Sequence, residues 1–233
     1  MTDNLWTGVP VGALPAYAYQ SLVARVDIFD EAIVYTRFGQ DGEARGSHQV
    51  SPADLAAALS GVPVTTGLLP QGTLFYSRHA GGVRMGLYLP PRVHRLAVQQ
   101  GRKRARLNVP LPPLVFVGDG STYSVFAVKQ YPVATERLYK APLPNVYGDG
   151  KICPGNVPFP ACSPATIRKA ADLFLSSDFN TDLAGMRSQS HGENVLAMWQ
   201  ALHEAGAETY PLDDLLKASH PGALSDVVGG GDV

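Results

Sequence analysis

The stretch Leu143-Pro144-Asn145-Val146-Tyr147-Gly148-Asp149-Gly150-Lys151-Ile152-Cys153 holds the side chains with the clearest chemical potential in this 233-residue chain. Cys153 ends a turn-rich segment and follows Asn145 by eight positions. Pro144 stiffens the backbone, Asn145 can hydrogen-bond its own main chain, and Gly148 and Gly150 admit left-handed geometry. A loop so constrained holds a thiol in one orientation, which nucleophilic chemistry needs and simple packing does not. Ile152 is expected to anchor the loop to the core while Cys153 faces outward, with Lys151 as a nearby cation and Tyr147 as loop packing. Residue chemistry by itself leaves Cys153 open between a nucleophile and a structural loop cysteine.

Other chemistries can be weighed from the same residue types. A cysteine hydrolase needs a histidine within hydrogen-bond reach of the thiol, oriented by a third group, and His191 with Asn194 are the nominees. Cys162 precedes a helix start and reads as a small packing residue. A zinc site would need further ligands at short spacing, and His191 and His203 show no such pairing, so no metal or other cofactor is expected. The cluster Arg102-Lys103-Arg104, with Arg106 beyond it and Arg92 and Arg95 upstream, reads first as a solvated hairpin that discourages edge pairing. A docking surface for a partner protein is the second reading of that cluster, and nucleic acid the last.

The elements that must position the loop are legible from periodicity. Residues 22–29 alternate with an apolar parity, residues 32–38 form a second β-rich run, and Gly39-Gln40-Asp41-Gly42 is a hairpin signal. Ser51-Pro52 starts a short helix that ends near Ser60-Gly61. Strands are expected at 73–79, 83–89, 93–99, 104–109, 114–117 and 122–128, joined by three tight turns, which argues for an antiparallel meander. Pro110, Pro112 and Pro113 mark a bend before the last hairpin. Beyond the cysteine, Ser163-Pro164 opens a helix with Ile167, Ala170, Ala171 and Phe174 on one stripe. A second helix over 194–205 carries Val195, Met198, Trp199 and Leu202, a third is expected at 212–218, and residues 227–233 form a frayed tail.

Composition bounds the rest. The apolar fraction is 45% and the charged fraction 17%, enough apolar material for a sizeable core and too few charges for a disordered chain. A net charge of −1 gives no global pull toward nucleic acid or anionic membrane. No run approaches the ~18 apolar residues of a membrane span, and the first residues carry no basic n-region of a secretory signal. Two cysteines without a targeting segment make the cytoplasm the expected compartment.

The 143–153 segment resembles the active-site loop of ubiquitin-conjugating (UBC) enzymes, whose pattern is His-Pro-Asn, a short turn, then Gly-x-Ile/Val-Cys. The Asn-to-Cys spacing and the Gly-Lys-Ile-Cys ending match, while Leu143 stands where the family has histidine and Pro154-Gly155-Asn156 replaces the common continuation. Leu-Pro-Asn-x-Tyr, Gly-Lys-Ile-Cys-x-Gly-Asn and the Pro-Pro-Leu-Val-Phe strand are similar to the prokaryotic branch D, the group that includes the PRTRC cassette protein B family. The resemblance implies an α+β, UBC-like fold: an antiparallel meander, a cysteine-bearing loop and C-terminal helices, preceded by an N-terminal β-hairpin extension. Its divisions would be residues 1–50 for the extension, 51–220 for the UBC-like domain and 221–233 for a flexible tail. It implies that Cys153 carries a modifier as a thioester, with Asn145 stabilising the oxyanion and Asp149 as an acid near the incoming amine. Leu143, Pro144, Tyr147, Gly150 and Ile152 would support the loop. The implied partners are a ThiF-like activating enzyme and a small ubiquitin-like β-grasp protein, with the acceptor unnamed. A noncatalytic binding or scaffold module on the same fold is the alternative.

Overall fold

The computed structural model describes residues 22–60, 66–79, 82–101 and 103–228. The chain divides into two compact units, one running through Gly67 and the other starting at Leu68.

In the first unit β1 (Ala24–Ile28), β2 (Ile33–Phe38) and β3 (Ala44–Val50) form an antiparallel sheet in that order. The sheet has one strand more than the expected hairpin. β3 is hidden in the sequence because Ala44-Arg45-Gly46-Ser47-His48-Gln49-Val50 shows no apolar alternation and is mostly exposed. Its ladder runs from Ile33–Val50 to Phe38–Ala44, and inside it the buried Thr36 hydroxyl meets Ser47 Oγ at 2.9 Å. Helix α1 (Pro52–Ser60) follows the cap signature. Ser51 Oγ accepts from the Asp54 N–H at 3.1 Å, and the Ser51 N–H donates to Asp54 Oδ2 at 3.3 Å, a reciprocal cap.

In the second unit β4 (Thr73–His79) pairs with β5 (Gly82–Leu89), β6 (Arg92–Gln100) with β7 (Lys103–Leu111), and β8 (Leu114–Asp119) with β9 (Thr122–Ala127). The turns expected around residues 80–81 and at 102 fall outside the described residues. The three hairpins do not form one continuous meander. β5 pairs directly with β8, and the two-residue β10 (Tyr139–Lys140) completes a sheet of order β10-β9-β8-β5-β4. The β6–β7 hairpin leaves that sheet and builds another with β11 (Asp178–Phe179), which runs parallel to β6. Prolines account for the departure. Pro90-Pro91 and Pro112-Pro113 flank the excursion, and residues without an N–H cannot continue a ladder. Pro110 is tolerated inside β7 because β7 is an edge strand.

Both faces of the larger sheet are covered, as the parity of β8 shows. Leu114 and Phe116 join the main core with helices α2 (Ile167–Leu175) and α3 (Val195–Glu204). Val115 and Val117 face a second core with Leu138 and Ala218. α2 buries Ile167, Ala170, Ala171 and Phe174, and α3 buries Val195, Met198, Trp199 and Leu202, the two stripes expected from spacing. α2 begins four residues later than Ser163, which instead forms the turn whose carbonyl accepts from the Thr166 and Ile167 N–H groups at 3.1 and 3.0 Å. The third helix shrinks to a 3₁₀ turn at Leu212–Asp214. Helix α4 (Leu224–Val228) buries Leu224 and Val227 in the second core, and the Leu138 N–H reaches the Gly222 carbonyl at 3.0 Å. Among the described residues no helix is long and apolar enough to cross a membrane.

Candidate active site

Main-chain pairing turns the 145–153 loop into a closed hairpin. The Cys153 N–H donates to the Asn145 carbonyl at 2.8 Å, Val146 and Ile152 form an antiparallel bridge, and the Tyr147 N–H donates to the Lys151 carbonyl at 2.7 Å. The tip closes with the Gly150 N–H on the Tyr147 carbonyl at 3.0 Å and the Lys151 N–H on Asp149 Oδ1 at 2.9 Å. The eight-residue spacing thus places Asn145 directly across from Cys153. The hairpin lies against β9, where the Ile152 N–H donates to Tyr123 and the Val125 N–H to Gly150, at 2.8 and 2.9 Å. Asn145 adopts the left-handed region at φ +59°, which asparagine tolerates better than most residues. Its N–H reaches the Asp182 carbonyl at 3.3 Å and its Nδ2 the Asp178 carbonyl at 3.2 Å, tying the hairpin to β11.

Gly150 is required where it stands. Its φ is +90°, and a Cβ there would fall 2.3 Å from the Phe126 ring. Gly148 lies outside the left-handed region and would admit a Cβ with nothing within 4 Å. Gly150→Ala is therefore expected to cost about 3 kcal/mol in denaturant unfolding, by backbone strain and overpacking. Gly148→Ala should stay within ~0.5 kcal/mol of the parent. Equal costs at the two positions would refute this account of the hairpin.

Leu143 is fully buried in the main core, so the position of the family's histidine contributes packing here. The hydrogen bonding comes from elsewhere in the chain. Arg187, only 3% exposed, donates from Nη2 to the Val146 carbonyl and to the Tyr147 carbonyl at 2.8 Å. Its Nε reaches the Leu183 carbonyl at 3.4 Å. Burial pushes the guanidinium down to about 10, a tendency that Asp149 opposes, so it stays charged at neutral pH. One buried cation thus serves two carbonyls at the hairpin tip. Behind the loop, Trp199 Nε1 donates to the Pro142 carbonyl at 2.9 Å, and Trp199, Phe179 and Phe174 stack edge-on with centroids 5.2 and 5.4 Å apart.

The segment bearing Arg187 is itself pinned by a buried carboxylate. Asp214 Oδ1 accepts from the Ser190 N–H at 2.7 Å and from Ser190 Oγ at 2.6 Å, and Oδ2 accepts from Tyr210 at 2.9 Å. Burial raises the Asp214 carboxyl, but donors from Ser190, Ser188 and Tyr210 outweigh it and hold the group below its ordinary 3.8. A depressed folded value means that the stabilisation is complete above the unfolded value and is lost as pH falls through the folded one. Chemical unfolding between pH 6 and pH 3 should therefore show a steeper loss of stability for the parent than for Asp214→Asn. Parallel pH profiles would count against the carboxylate as an anchor.

Cys153 is half-buried, and Tyr147, which is 45% exposed, stands beside it. Its proximity to the thiol, first as a hydrogen-bond partner and then electrostatically, holds the Tyr147 phenol above its ordinary value. Cys153 opens on a groove of about 540 Å³ lined also by Asn145, Arg104, Asp178, Asp182, Phe159, Phe174 and Leu183. Arg104 Nη2 lies 2.6 Å from Asp178 Oδ1, and Asp182 Oδ2 accepts from Asn180 at 2.9 Å. The groove therefore combines a thiol, apolar walls and two carboxylates, one of them paired with Arg104.

The structure brings Cys153, Asn145 and Tyr147 together and places Pro144, Gly150 and Ile152 beneath them as buried supports. Asp149 is turned toward Lys151, its Oδ2 lying 3.8 Å from Nζ, and does not line the groove. Of the basic cluster, Arg104 reaches the groove, Lys103 and Arg106 are exposed on β7, and Arg102 lies outside the described residues. His191 is bonded to Ser190 Oγ at 2.9 Å, and Asn194 caps α3 through the Leu196 N–H at 3.0 Å. No histidine lines the groove among the described residues, so the hydrolase constellation is not assembled. Arg187, Asp178 and Asp182 are the groups that sequence reasoning missed. The left-handed Asn145, whose N–H and amide need carbonyl partners from a distant segment, was the signal pointing toward the last two.

A family model described as prokaryotic E2 family D matches residues 54–218. No curated protein and no solved structure matches the chain. The match includes the whole cysteine hairpin, the groove and both helices behind it, and such enzymes work with activating enzymes and ubiquitin-like proteins. The chain belongs to prokaryotic E2 family D, a branch of the ubiquitin-conjugating fold.

Proposed function

We propose that this protein accepts the C-terminal acyl group of a ubiquitin-like modifier as a thioester on Cys153 and passes it to an amine. The observation that carries this reading is the hairpin that holds Cys153 across from Asn145 at the mouth of the groove. In the first step the Cys153 thiolate attacks the thioester carbonyl of the charged activating enzyme. The new S–C bond forms, and the activating enzyme's thiolate leaves. In the second step an acceptor amine attacks, the oxyanion collapses, the Cys153 thiolate departs and the amine loses a proton to solvent or to a nearby carboxylate. Such a carrier thiol must be exposed and oriented, and it needs no adjacent imidazole.

The Asn145 amide has two N–H groups. One is engaged with the Asp178 carbonyl at 3.2 Å, leaving the other for the oxyanion, a donor worth roughly 2.7–4 kcal/mol when well placed. The acid role expected of Asp149 passes better to Asp178 or Asp182, which line the groove. The activating partner is a ThiF-like adenylating enzyme and the modifier a small β-grasp protein, as in a PRTRC-type cassette. Residues 51–220 form the conjugating domain, preceded by an extension.

The test is direct. Mixed with its activating enzyme, modifier and ATP, the protein should form one adduct per chain that excess thiol releases. A noncatalytic binding module, the reading that Leu143 favours, would bind the modifier and form no adduct under any condition. Arg187 weighs against that alternative, because it supplies from another segment the loop support that a histidine would otherwise give.

A further inference from the structure

A second cavity, of about 730 Å³, opens beside α2 in the same unit, within the range of about 300–1,000 Å³ usual for small-ligand sites. It shares no lining residue with the cysteine groove. Its polar side is built from Arg92 and His94 of β6 and Arg168 and Asp172 of α2. Arg92 Nε donates to His94 Nε2 at 3.1 Å, and Arg168 Nη2 donates to the Gln71 carbonyl at 2.8 Å. Among the described residues neither arginine has a carboxylate partner, so the remaining N–H groups of both forks are available.

The rest of the lining is largely aromatic and apolar. Tyr88 and Tyr131 meet with ring centroids 4.7 Å apart and planes at 59°, and Leu89 and Leu175 complete the wall. Tyr131 is 60% exposed, so a large flat face is held at the cavity rim and left uncovered by the described chain. Arginine forks match carboxylates in plane and can bind them through two parallel hydrogen bonds. Two arginines against Asp172 leave a single positive charge. His94 adds none at neutral pH, because burial, then Arg92, holds it down to about 4. One residual charge fits a monoanion better than a dianionic phosphate.

We propose that this cavity binds a small molecule or chain end bearing one carboxylate beside a flat ring, with the carboxylate on Arg92 and Arg168 and the ring against Tyr88 and Tyr131. The site is independent of thioester transfer at Cys153 and stands or falls separately.

Calorimetric titration and amide NMR of the full chain test it with phenylacetate and N-acetylphenylalanine as probes. Both should bind and shift resonances of residues 88–94 and 168–175. Acetate, which lacks the ring, and N-acetylphenylalaninamide, which lacks the charge, should bind at least tenfold more weakly. Arg168→Gln and Arg92→Gln should each weaken the carboxylate probes at least tenfold. Tyr131→Ala, at an exposed position that leaves the fold intact, should weaken them severalfold and leave acetate unchanged. Absence of binding by both carboxylate probes, equal binding of the amide, or arginine variants that bind like the parent would each overturn the proposal. Tighter binding of AMP than of N-acetylphenylalanine would overturn the carboxylate assignment and identify a phosphate ester as the ligand class.

Discussion

Replacing Cys153 by serine should convert a transient adduct into a lasting one. In the parent the bond to the modifier is a thioester, whose leaving group is a thiolate. A serine ester must expel a far more basic alkoxide, so both amine attack and thiol exchange slow by orders of magnitude. The serine hydroxyl is also the weaker nucleophile, so loading should be slow and the product should resist excess thiol and yield to alkali. Cys153→Ala should load nothing. Cys162 provides the internal control, because it is buried and its thiol is pushed up to about 11 by burial and by Asp119. Cys162→Ser should load at the parent rate. The carrier assignment is wrong if Cys153→Ser neither abolishes the thiol-sensitive adduct nor traps an ester.

Arg187→Met should damage stability and loading together. The guanidinium is buried, charged and bound to the Val146 and Tyr147 carbonyls, so its loss strands the Val146 carbonyl and leaves the Tyr147 carbonyl only the Gly150 N–H. Stranding a buried acceptor costs about 1–3 kcal/mol before any relaxation, and a loss of about 2 kcal/mol is expected in denaturant unfolding. The hairpin that orients Cys153 loses the same support, so modifier loading should fall at least tenfold. Arg187→Lys separates the two effects. An ammonium keeps the charge but lacks the planar fork that reaches both carbonyls, so it should recover part of the stability and little of the loading. Parent-like unfolding and loading in Arg187→Met would remove Arg187 from any role in the site.

Much of this arrangement was readable from residue order, and what escaped has physical causes. The stripes of α2 and α3 were legible because amphipathic helices write their buried face at a 3.6 spacing. The hairpins were legible because glycine turns separate runs of strand-forming residues. The departure of β6–β7 from the larger sheet was not, because pairing partners are a tertiary choice and Pro90-Pro91 marks a break without saying where the chain goes next. β3 was invisible since a strand exposed on both faces leaves no apolar parity. At the site, Cys153 and Asn145 are local in sequence and their spacing marked them as candidates, while Tyr147 was read as loop packing. Arg187 was not, because it lies forty positions from the Tyr147 carbonyl it holds, and nothing in its neighbourhood distinguishes it from a surface arginine. The helix stripe at 224–227 was overlooked because α4 spans only five residues and abuts a glycine run.

The bond from the Cys153 N–H to the Asn145 carbonyl has a bearing on how kinship is recognised. The thiol is addressed by main-chain atoms, which every residue type except proline supplies in the same form. Spelling within the hairpin can therefore drift while the address is preserved. The positions that cannot drift freely are a residue at ease with positive φ at 145, glycine at 150 and the nucleophile itself. Distant members of such a lineage are better sought by the loop's geometry than by a histidine that this protein has replaced with leucine.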